Sequence, residues 1–273
     1  MPAPLEVLVV DDGSTDATSR LARESGARIV PAGGRPSAGG SRNRGWAAAG
    51  GDVVVFLDAD AIPEPGWGAG IARAVAEFPG AIIGCARTFG GQTSWEWVSH
   101  LQIETPYLPR GEPREVPFVS SFCMVVPRDL PIRFDESYGG EDGVFCAEAL
   151  AAGVRLVFDP RFCAFHDHGR TTFTDLRRQQ TRLARGLARC GPIQQEGVHK
   201  RVFSRLPVHY FALVRLPIIY RRVRSDDALR RRFVRLLPRM VVAEWMLGLS
   251  ALRYVVRRPS VHVAAAPAER AEA

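Results

Sequence analysis

Apolar runs alternate with polar, turn-rich stretches along the first sixty residues, at the spacing of strands and short helices. Residues 5–10 read as a buried strand that stops on Asp11 and Asp12 and runs into a Gly-Ser turn. Residues 16–25 read as a short helix closed by Gly26, and residues 27–31 as another strand. A Gly-rich stretch, 33–45, reads as a loop; the small residues after Trp46 read as a helix up to Gly50 and Gly51. Residues 52–57 form a further continuous apolar strand, ending on Asp58-Ala59-Asp60. Strand–helix alternation with fully apolar strands predicts an α/β fold with a mostly parallel sheet covered by helices on both faces. Ligands of such sheets sit outside the carboxyl ends of the strands, where both acidic clusters fall.

The later chain changes character. A helix is expected after Gly139-Gly140, from Glu141 to Gly153, followed by an apolar strand ending at Asp159-Pro160 and then His166 and His168. From Asp175 the text is Arg-rich and helical, and residues 259–273 are small and polar. Three parts are therefore expected: 1–174 catalytic, 175–258 a C-terminal basic helical region, and 259–273 a disordered tail. Charge supports the division, because residues 1–160 balance to −8 and residues 161–258 to +16. An acidic half suits metal ions and a basic half suits an anionic surface. Five scattered cysteines, never as C-x-x-C, point to a reducing cytoplasm and away from a disulfide framework or zinc site. No signal peptide pattern opens the chain.

Two kinds of protein end a strand on paired acids in this way. A two-component receiver domain would use "VLVVDD" and "VVVFLDADAIP", but it also needs a lysine on a later strand. The one lysine here is Lys200, inside the basic region. The series "VVDDGSTD", "GGSRNRGWAAAGGDVVVFLDAD", "GGEDGVFCAEALAAGVRLVFDP" and "FHDH" accounts for more residues. In order and spacing it resembles the family-2 glycosyltransferases over about residues 6 to 170. The resemblance implies the nucleotide-diphospho-sugar transferase (GT-A) fold and inverting sugar transfer from a nucleoside-diphosphate sugar to an acceptor hydroxyl, and the lack of clear membrane spans in the later chain favours transfer of one sugar.

Residue roles follow from chemistry and resemblance together. Hard divalent cations, Mn²⁺ or Mg²⁺, commonly bridge a few carboxylates to substrate phosphates. The resemblance makes Asp60 the direct metal ligand, while Asp58 reaches the ribose or a metal-bound water. His166 matches a position that often completes the metal shell, with a structural loop histidine as the rival reading. Asp11 and Asp12 can accept hydrogen bonds from a ribose or base, or cap the following helix. Arg42 and Asn43 match the family's "A-R-N" except that Ser41 replaces the alanine, and Arg42 can contact a diphosphate or form an ion pair. Asp142 is the expected base for the acceptor hydroxyl, Glu141 an aid to acceptor binding, with helix-dipole compensation as the alternative for both.

One departure stands out. Family members open with another strand, ending near Pro-x-Tyr-Asn, that lines the nucleotide pocket. Its absence here should leave a central strand position unpaired, and it favours the alternative of a catalytically impaired nucleotide-binding or scaffolding relative. In the basic half, residues 206–220 and 240–256 are apolar but too short and charged for clean membrane spans. Arg239, Ser250, Arg253 and Arg257 share one sector of a helical wheel, with Glu244 opposite. An interfacial helix on anionic lipid and a helical bundle on the catalytic domain both fit. "QQTR" at 179–182 is close to a Q-x-x-R-W motif of processive synthases, but Leu183 replaces the tryptophan. The expected partners are thus a nucleoside-diphosphate sugar, a glycan or lipid-linked acceptor and an anionic membrane surface, without nucleic acid. The expected place is the inner face of the cell membrane, peripherally bound.

Overall fold

The strands fall into two hydrogen-bonded sheets in the computed structural model, which describes residues 6–31, 33, 37–137, 139–194 and 214–255. β1 (Leu8–Asp11) and β2 (Arg28–Pro31) pair in parallel across α1 (Thr18–Glu24). The chain continues through α2 (Ala38–Ala48), β3 (Val53–Leu57), β4 (Ala61–Pro63), α3 (Trp67–Glu77), β5 (Ile82–Thr88) and α4 (Ser94–Ile103). A 3₁₀ turn at Thr105–Tyr107 leads to β6 (Arg114–Glu115), β7 (Cys123–Pro127), α5 (Glu141–Ala151) and β8 (Leu156–His166). The helices α6 (Phe173–Gln194), α7 (Leu216–Val223) and α8 (Asp227–Val255) follow.

The larger, six-stranded sheet runs β3-β7-β5-β8-β4, with β6 also on β8. Only β5 and β8 are parallel there; β3–β7, β5–β7, β4–β8 and β6–β8 are antiparallel. The α/β class with helices on both faces holds, but the sheet is mixed rather than mostly parallel. Strand direction is absent from the sequence pattern, because a strand buried on both faces reads as the same apolar run either way. Alternating side chains of β5 fill two cores. Ile82 packs with Trp46 of α2 and Phe145 of α5, while Ile83 packs with Ala74 of α3.

Among the described residues, β1 pairs only with β2, and β3 only with β7. The ladder is thus broken between β1 and β3 among the described residues. All four β1 residues, the apolar Leu8, Val9 and Val10 as well as Asp11, are half-buried.

The Gly-rich stretch departs from expectation: Ala38 to Gly45 is helical, part of α2. Ser37 starts this helix by accepting a hydrogen bond from Gly40 N. Glycines normally weaken a helix, but here they permit close packing. A β-carbon on Gly39 would lie 2.1 Å from the Asp135 carbonyl oxygen, and one on Gly45 would lie 3.0 Å from Val10 Cγ2.

β8 also corrects the reading. The strand does not end at Asp159-Pro160 but continues to His166 past a bulge, where Cys85 pairs with Asp159 and Ala86 with Cys163. Pro160 has no N–H for the ladder, and the Asp159 carboxylate holds the bulge by accepting from Arg161 N and Nε. That extra length carries His166 to the edge where β3 ends.

In the C-terminal region, α7 and α8 bury Leu216, Ile219, Phe233, Met240 and Ala243 against α4 and α6. Glu244 is fully buried in this interface and accepts from Gln102 Nε2, with Arg215 3.6 Å away. Arg239 and Arg253 are exposed and Ser250 is half-buried. Arg257, Lys200, the tail from 259 and the first part of the 206–220 segment lie outside the described residues. Gln179 of "QQTR" accepts from Ser99 Oγ, and Gln180 donates to Gln102, so both glutamines lock α6 to α4.

Candidate active site

Arg42 on α2 draws together two acids that stand 83 positions apart in the sequence. Its NH2 lies 2.8 Å from Asp58 Oδ1, just after β3, and its NH1 lies 3.0 Å from Glu141 Oε1, at the start of α5. The guanidinium also sits 5.5 Å from the centroid of Phe134. Asn43 fixes that neighbourhood by donating to Phe134 O and accepting from Phe134 N, both at 2.9 Å. The Asn43 amide nitrogen also donates to Glu136 Oε1 at 3.2 Å, so its oxygen and nitrogen both bind the segment before α5. Arg42 shows the ion-pair alternative of the sequence reading.

Gly139 and Gly140 both take positive φ, 86° and 82°, and turn the chain sharply into α5. This turn leaves Glu141 and Asp142 in the first helical turn. Asp142 Oδ1 accepts from Gly143 N at 2.9 Å. Burial and then the neighbouring Glu141 charge raise its pKa to about 6, against the opposing pull of Arg42. A carboxyl group that exchanges its proton near neutrality is suited to general-base work.

Asp60, two residues beyond Asp58, faces His166 at the end of β8. Asp60 Oδ2 is 3.5 Å from His166 Nε2, and His166 Nδ1 is 2.8 Å from Glu104 Oε1. Burial works against a charge on His166, but Asp60 and Glu104 outweigh it and raise its pKa to about 8. The His166 hydrogen bond is also the main cause of the lowered Asp60 pKa. Glu104 is fully buried, 2.7 Å from Arg87 NH1. Burial alone would protonate it, yet Arg87 and His166 together hold it ionised, with a pKa of about 2. Arg87 in turn lies 4.2 Å from the Tyr107 ring centroid and 4.3 Å from that of Phe122. A carboxylate behind a histidine that faces a second carboxylate is the arrangement that orients metal-ligating imidazoles. Oxygen and imidazole donors together suit Mn²⁺, so Asp60 and His166 fit a divalent cation.

A second cluster lies beside it: one donor atom each of Glu96, His100 and His168 lie within 4.8 Å of one another. Two of these are already engaged with backbone. Glu96 closes a capping box on α4, and His168 Nδ1 accepts from Arg170 N at 3.0 Å, which places the proton on Nε2. His168 stacks on His100 with centroids 4.1 Å apart, and burial followed by the His100 charge lowers its pKa to about 3.

Asp11 is held by local structure: it accepts from Ser14 N at 2.8 Å and from Ser19 Oγ, and the Ser19 bond leads in lowering its pKa to about 2. This is the turn-capping alternative. Asp12 is exposed at the end of β1. The structure thus brings Arg42, Asp58 and Glu141 into direct contact, sets Asp142 beside them, and pairs Asp60 with His166. Asp11 and Asp12 stay with the two-stranded sheet. Sequence reasoning missed Arg87, Glu96, His100, Glu104 and Tyr107. The available signal was Glu96, His100 and Glu104 at four-residue spacing on helical text, where neighbours share a face.

Residues 2–131 match the family described as "Glycosyl transferase family 2". The chain is 32% identical over 190 residues to the pre-mycofactocin glycosyltransferase of Mycobacterium tuberculosis, covering 63% of this chain and 39% of that protein. The chain thus spans well under half the length of the curated relatives it matches. Among solved structures, it resembles the mannosyltransferase PcManGT from Pyrobaculum calidifontis in complex with GDP-Man and Mn²⁺. That match has a TM-score of 0.57 at 16% identity and covers 90% of this chain and 77% of the other. Over residues 2–131 the chain is similar to the family-2 glycosyltransferases, and the domain shares the GT-A fold of the solved mannosyltransferase.

Proposed function

We propose that this domain transfers one sugar, with inversion and with the help of a divalent cation, from a nucleoside-diphosphate sugar to an acceptor hydroxyl. The observation that carries the reading is the Arg42 bridge, which joins the acid-bearing end of β3 to the acid-bearing start of α5. Donor-side and acceptor-side groups thereby share one cluster. A neighbour of the same fold, solved with GDP-Man and Mn²⁺, supports a nucleotide-sugar donor.

Asp142 removes the proton of the acceptor hydroxyl as its oxygen bonds to the anomeric carbon and the bond to the diphosphate breaks. Its pKa of about 6 leaves it mostly ionised at neutral pH yet basic enough to accept that proton. Glu141 orients the acceptor and holds Arg42, and Arg42 can pass its charge from the carboxylates to the diphosphate. Asp58 and Asp12 serve the nucleoside. Asp60 and His166 would hold Mn²⁺ or Mg²⁺, which supplies positive charge against the departing diphosphate. Glu104 and Arg87 keep the His166 ring in place.

A second reading, an impaired relative that binds nucleotide without turnover, is favoured by the broken ladder between β1 and β3. We also assign the domain to a cytoplasmic membrane face, where it binds peripherally an anionic surface bearing a glycan or lipid-linked acceptor. Among the described residues no helix is long and apolar enough to cross a membrane. The face of α8 turned away from the bundle exposes Val234, Val242, Leu249 and Leu252, beside exposed Arg235, Arg239 and Arg253.

Calorimetry with GDP and UDP in the presence of Mn²⁺ tests the donor site. Asp60→Asn should remove the metal-dependent binding while leaving the thermal transition in place, because few anionic ligands offset the diphosphate's own charge. Unchanged affinity in that variant would overturn the site. Binding without transfer to any acceptor would favour the impaired relative.

A further inference from the structure

A cavity of ≈ 670 Å³ lies between the Thr105–Tyr107 turn, β6 and the end of α7, a size suited to a small molecule. Arg110, Arg114 and Arg222 line it together with Tyr107, Phe118 and Phe158. No acid lines it; Glu112 and Glu115 flank Arg114 in sequence but are not among the lining residues. Among the described residues these three arginines form no ion pair with a carboxylate. Arg110 donates to Ser225 Oγ and to Arg222 O, and Arg114 lies 4.5 Å from the Phe158 ring centroid. The Arg222 pKa is lowered, first by burial and then by Arg215, with Arg110 and Arg114 adding to the repulsion. Converging cations over aromatic walls are costly unless an anion neutralises them. Guanidinium forks match the oxygens of a phosphate two at a time.

The cavity also meets the candidate site through Tyr107: the Arg87 guanidinium lies 4.2 Å from its ring centroid, and Arg87 pairs with Glu104, which holds His166. A narrow void lined by Cys85, Tyr107, Phe118, Ser120 and Phe158 shares three of these residues with the cavity.

We propose that this cavity is an acceptor subsite for a small phosphomonoester, a soluble acceptor in place of the glycan or lipid-linked one, whose phosphate is held by Arg110, Arg114 and Arg222. The word acceptor rests on the sugar-transfer reading above, whereas the anion site does not.

The test is calorimetry with inorganic phosphate and with glycerol 3-phosphate, in EDTA and without nucleotide. Wild-type protein should bind both, and Arg114→Gln and Arg222→Gln should each weaken binding about tenfold. Arg114→Lys, which keeps a charge on an exposed side chain, should recover part of the loss and guards against misfolding as the cause. GDP with Mn²⁺ should leave the phosphate affinity unchanged. Absence of binding by wild type, equal affinity in both glutamine variants, or displacement by GDP with Mn²⁺ overturns the subsite. So does arginine-dependent binding to phosphatidic acid vesicles without binding of either soluble probe, which would assign the pocket to a lipid headgroup. Phosphate binding through the arginines in a protein that binds no nucleoside diphosphate would sink the sugar-transfer reading and leave the anion site standing.

Discussion

The two sheets were built from similar apolar strands, yet they differ in what surrounds them. β5, β7 and β8 have ladder partners on both sides and bury nearly every side chain. Among the described residues β1 and β2 have only each other as ladder partners, and β1 buries no residue fully. The acids follow the same division. Glu104 is locked between Arg87 and His166, and Asp142 sits half-buried beside an ion-paired cluster, whereas Asp12 is exposed on the rim of a two-stranded ribbon. An isolated two-stranded pair is marginal in water, so its acids can be only as well placed as the ribbon itself. The difference teaches that the half bearing Asp142, Asp60 and His166 is pre-organised, while Asp11 and Asp12 are only as fixed as the ribbon that carries them.

The largest expected effect tests that contrast directly. Native-state hydrogen exchange should show the amides of β1 and β2 opening at little free-energy cost, while those of β5, β7 and β8 exchange only on global unfolding. The protection should differ on the order of 10⁴-fold. Equal protection in both sheets would show that the ribbon is held as firmly as the core and would dissolve the comparison.

The next effect lies wholly in the ordered half. Asp142→Asn should lower turnover about 10³-fold while donor binding survives, since the amide keeps the shape but cannot take the proton. In the wild type, kcat/KM should rise through about pH 6 as Asp142 ionises. Steady-state rates from pH 5 to 8 check both statements. A flat profile, or near-normal turnover in the variant, would move the base elsewhere, with Glu141 the first candidate.

How much of this was legible beforehand depends on which forces place each group. Asp58, Asp60 and Asp142 sit where an apolar run or a Gly-Gly turn meets polar text, a local pattern that the sequence displays. The pairing of Asp60 with His166 required β8 to continue past Pro160, and the proline signals only an interruption, not a bulge. The α2 glycines read as a loop because propensity is local; what makes them helical is the Asp135 carbonyl, 96 positions away from Gly39. Arg87 and Tyr107 belong to no spacing motif, and the spacing of Glu104 from His100 does not say which cation it meets. The three meet only because β5, α4 and the following turn pack together, and the buried charges then require one another.

A smaller effect follows from His166, with its sign set by competition between a proton and a cation. Its folded pKa is raised, so the stabilising pairing with Asp60 and Glu104 is complete below about 6.5 and fades as pH rises through about 8. Metal binding requires the neutral ring and therefore runs the other way. Mn²⁺ affinity should strengthen about tenfold per pH unit up to about pH 8 and then level off, as read by calorimetry in two buffers of different ionisation heat. Proton release on binding should be close to one below that pH. A pH-independent affinity with no proton release would remove His166 from the cation site and turn attention to the neighbouring Glu96, His100 and His168.

The smallest effect extends the contrast to the helical region, where one face of α8 has its partners and the opposite face carries apolar residues beside arginines. Met240, Ala243, Leu247 and Ala251 are buried, so a bundle role for that face is established and does not compete with lipid binding on the other. Arginines at an anionic surface each add attraction worth roughly a fivefold change in partitioning. Replacing Arg235, Arg239 and Arg253 together by Gln should therefore release the protein from anionic vesicles, and raised salt should mimic the change by screening. Leu249→Glu should weaken binding on its own, by burying a charge where an apolar side chain would enter the interface. Co-sedimentation with anionic and neutral vesicles at low and high salt reads all three. Equal recovery in the supernatant under every condition would leave α8 a bundle helix alone and detach the domain from the membrane. Salt-resistant binding that survives the arginine changes but not Leu249→Glu would keep the membrane and assign the attraction to the apolar face.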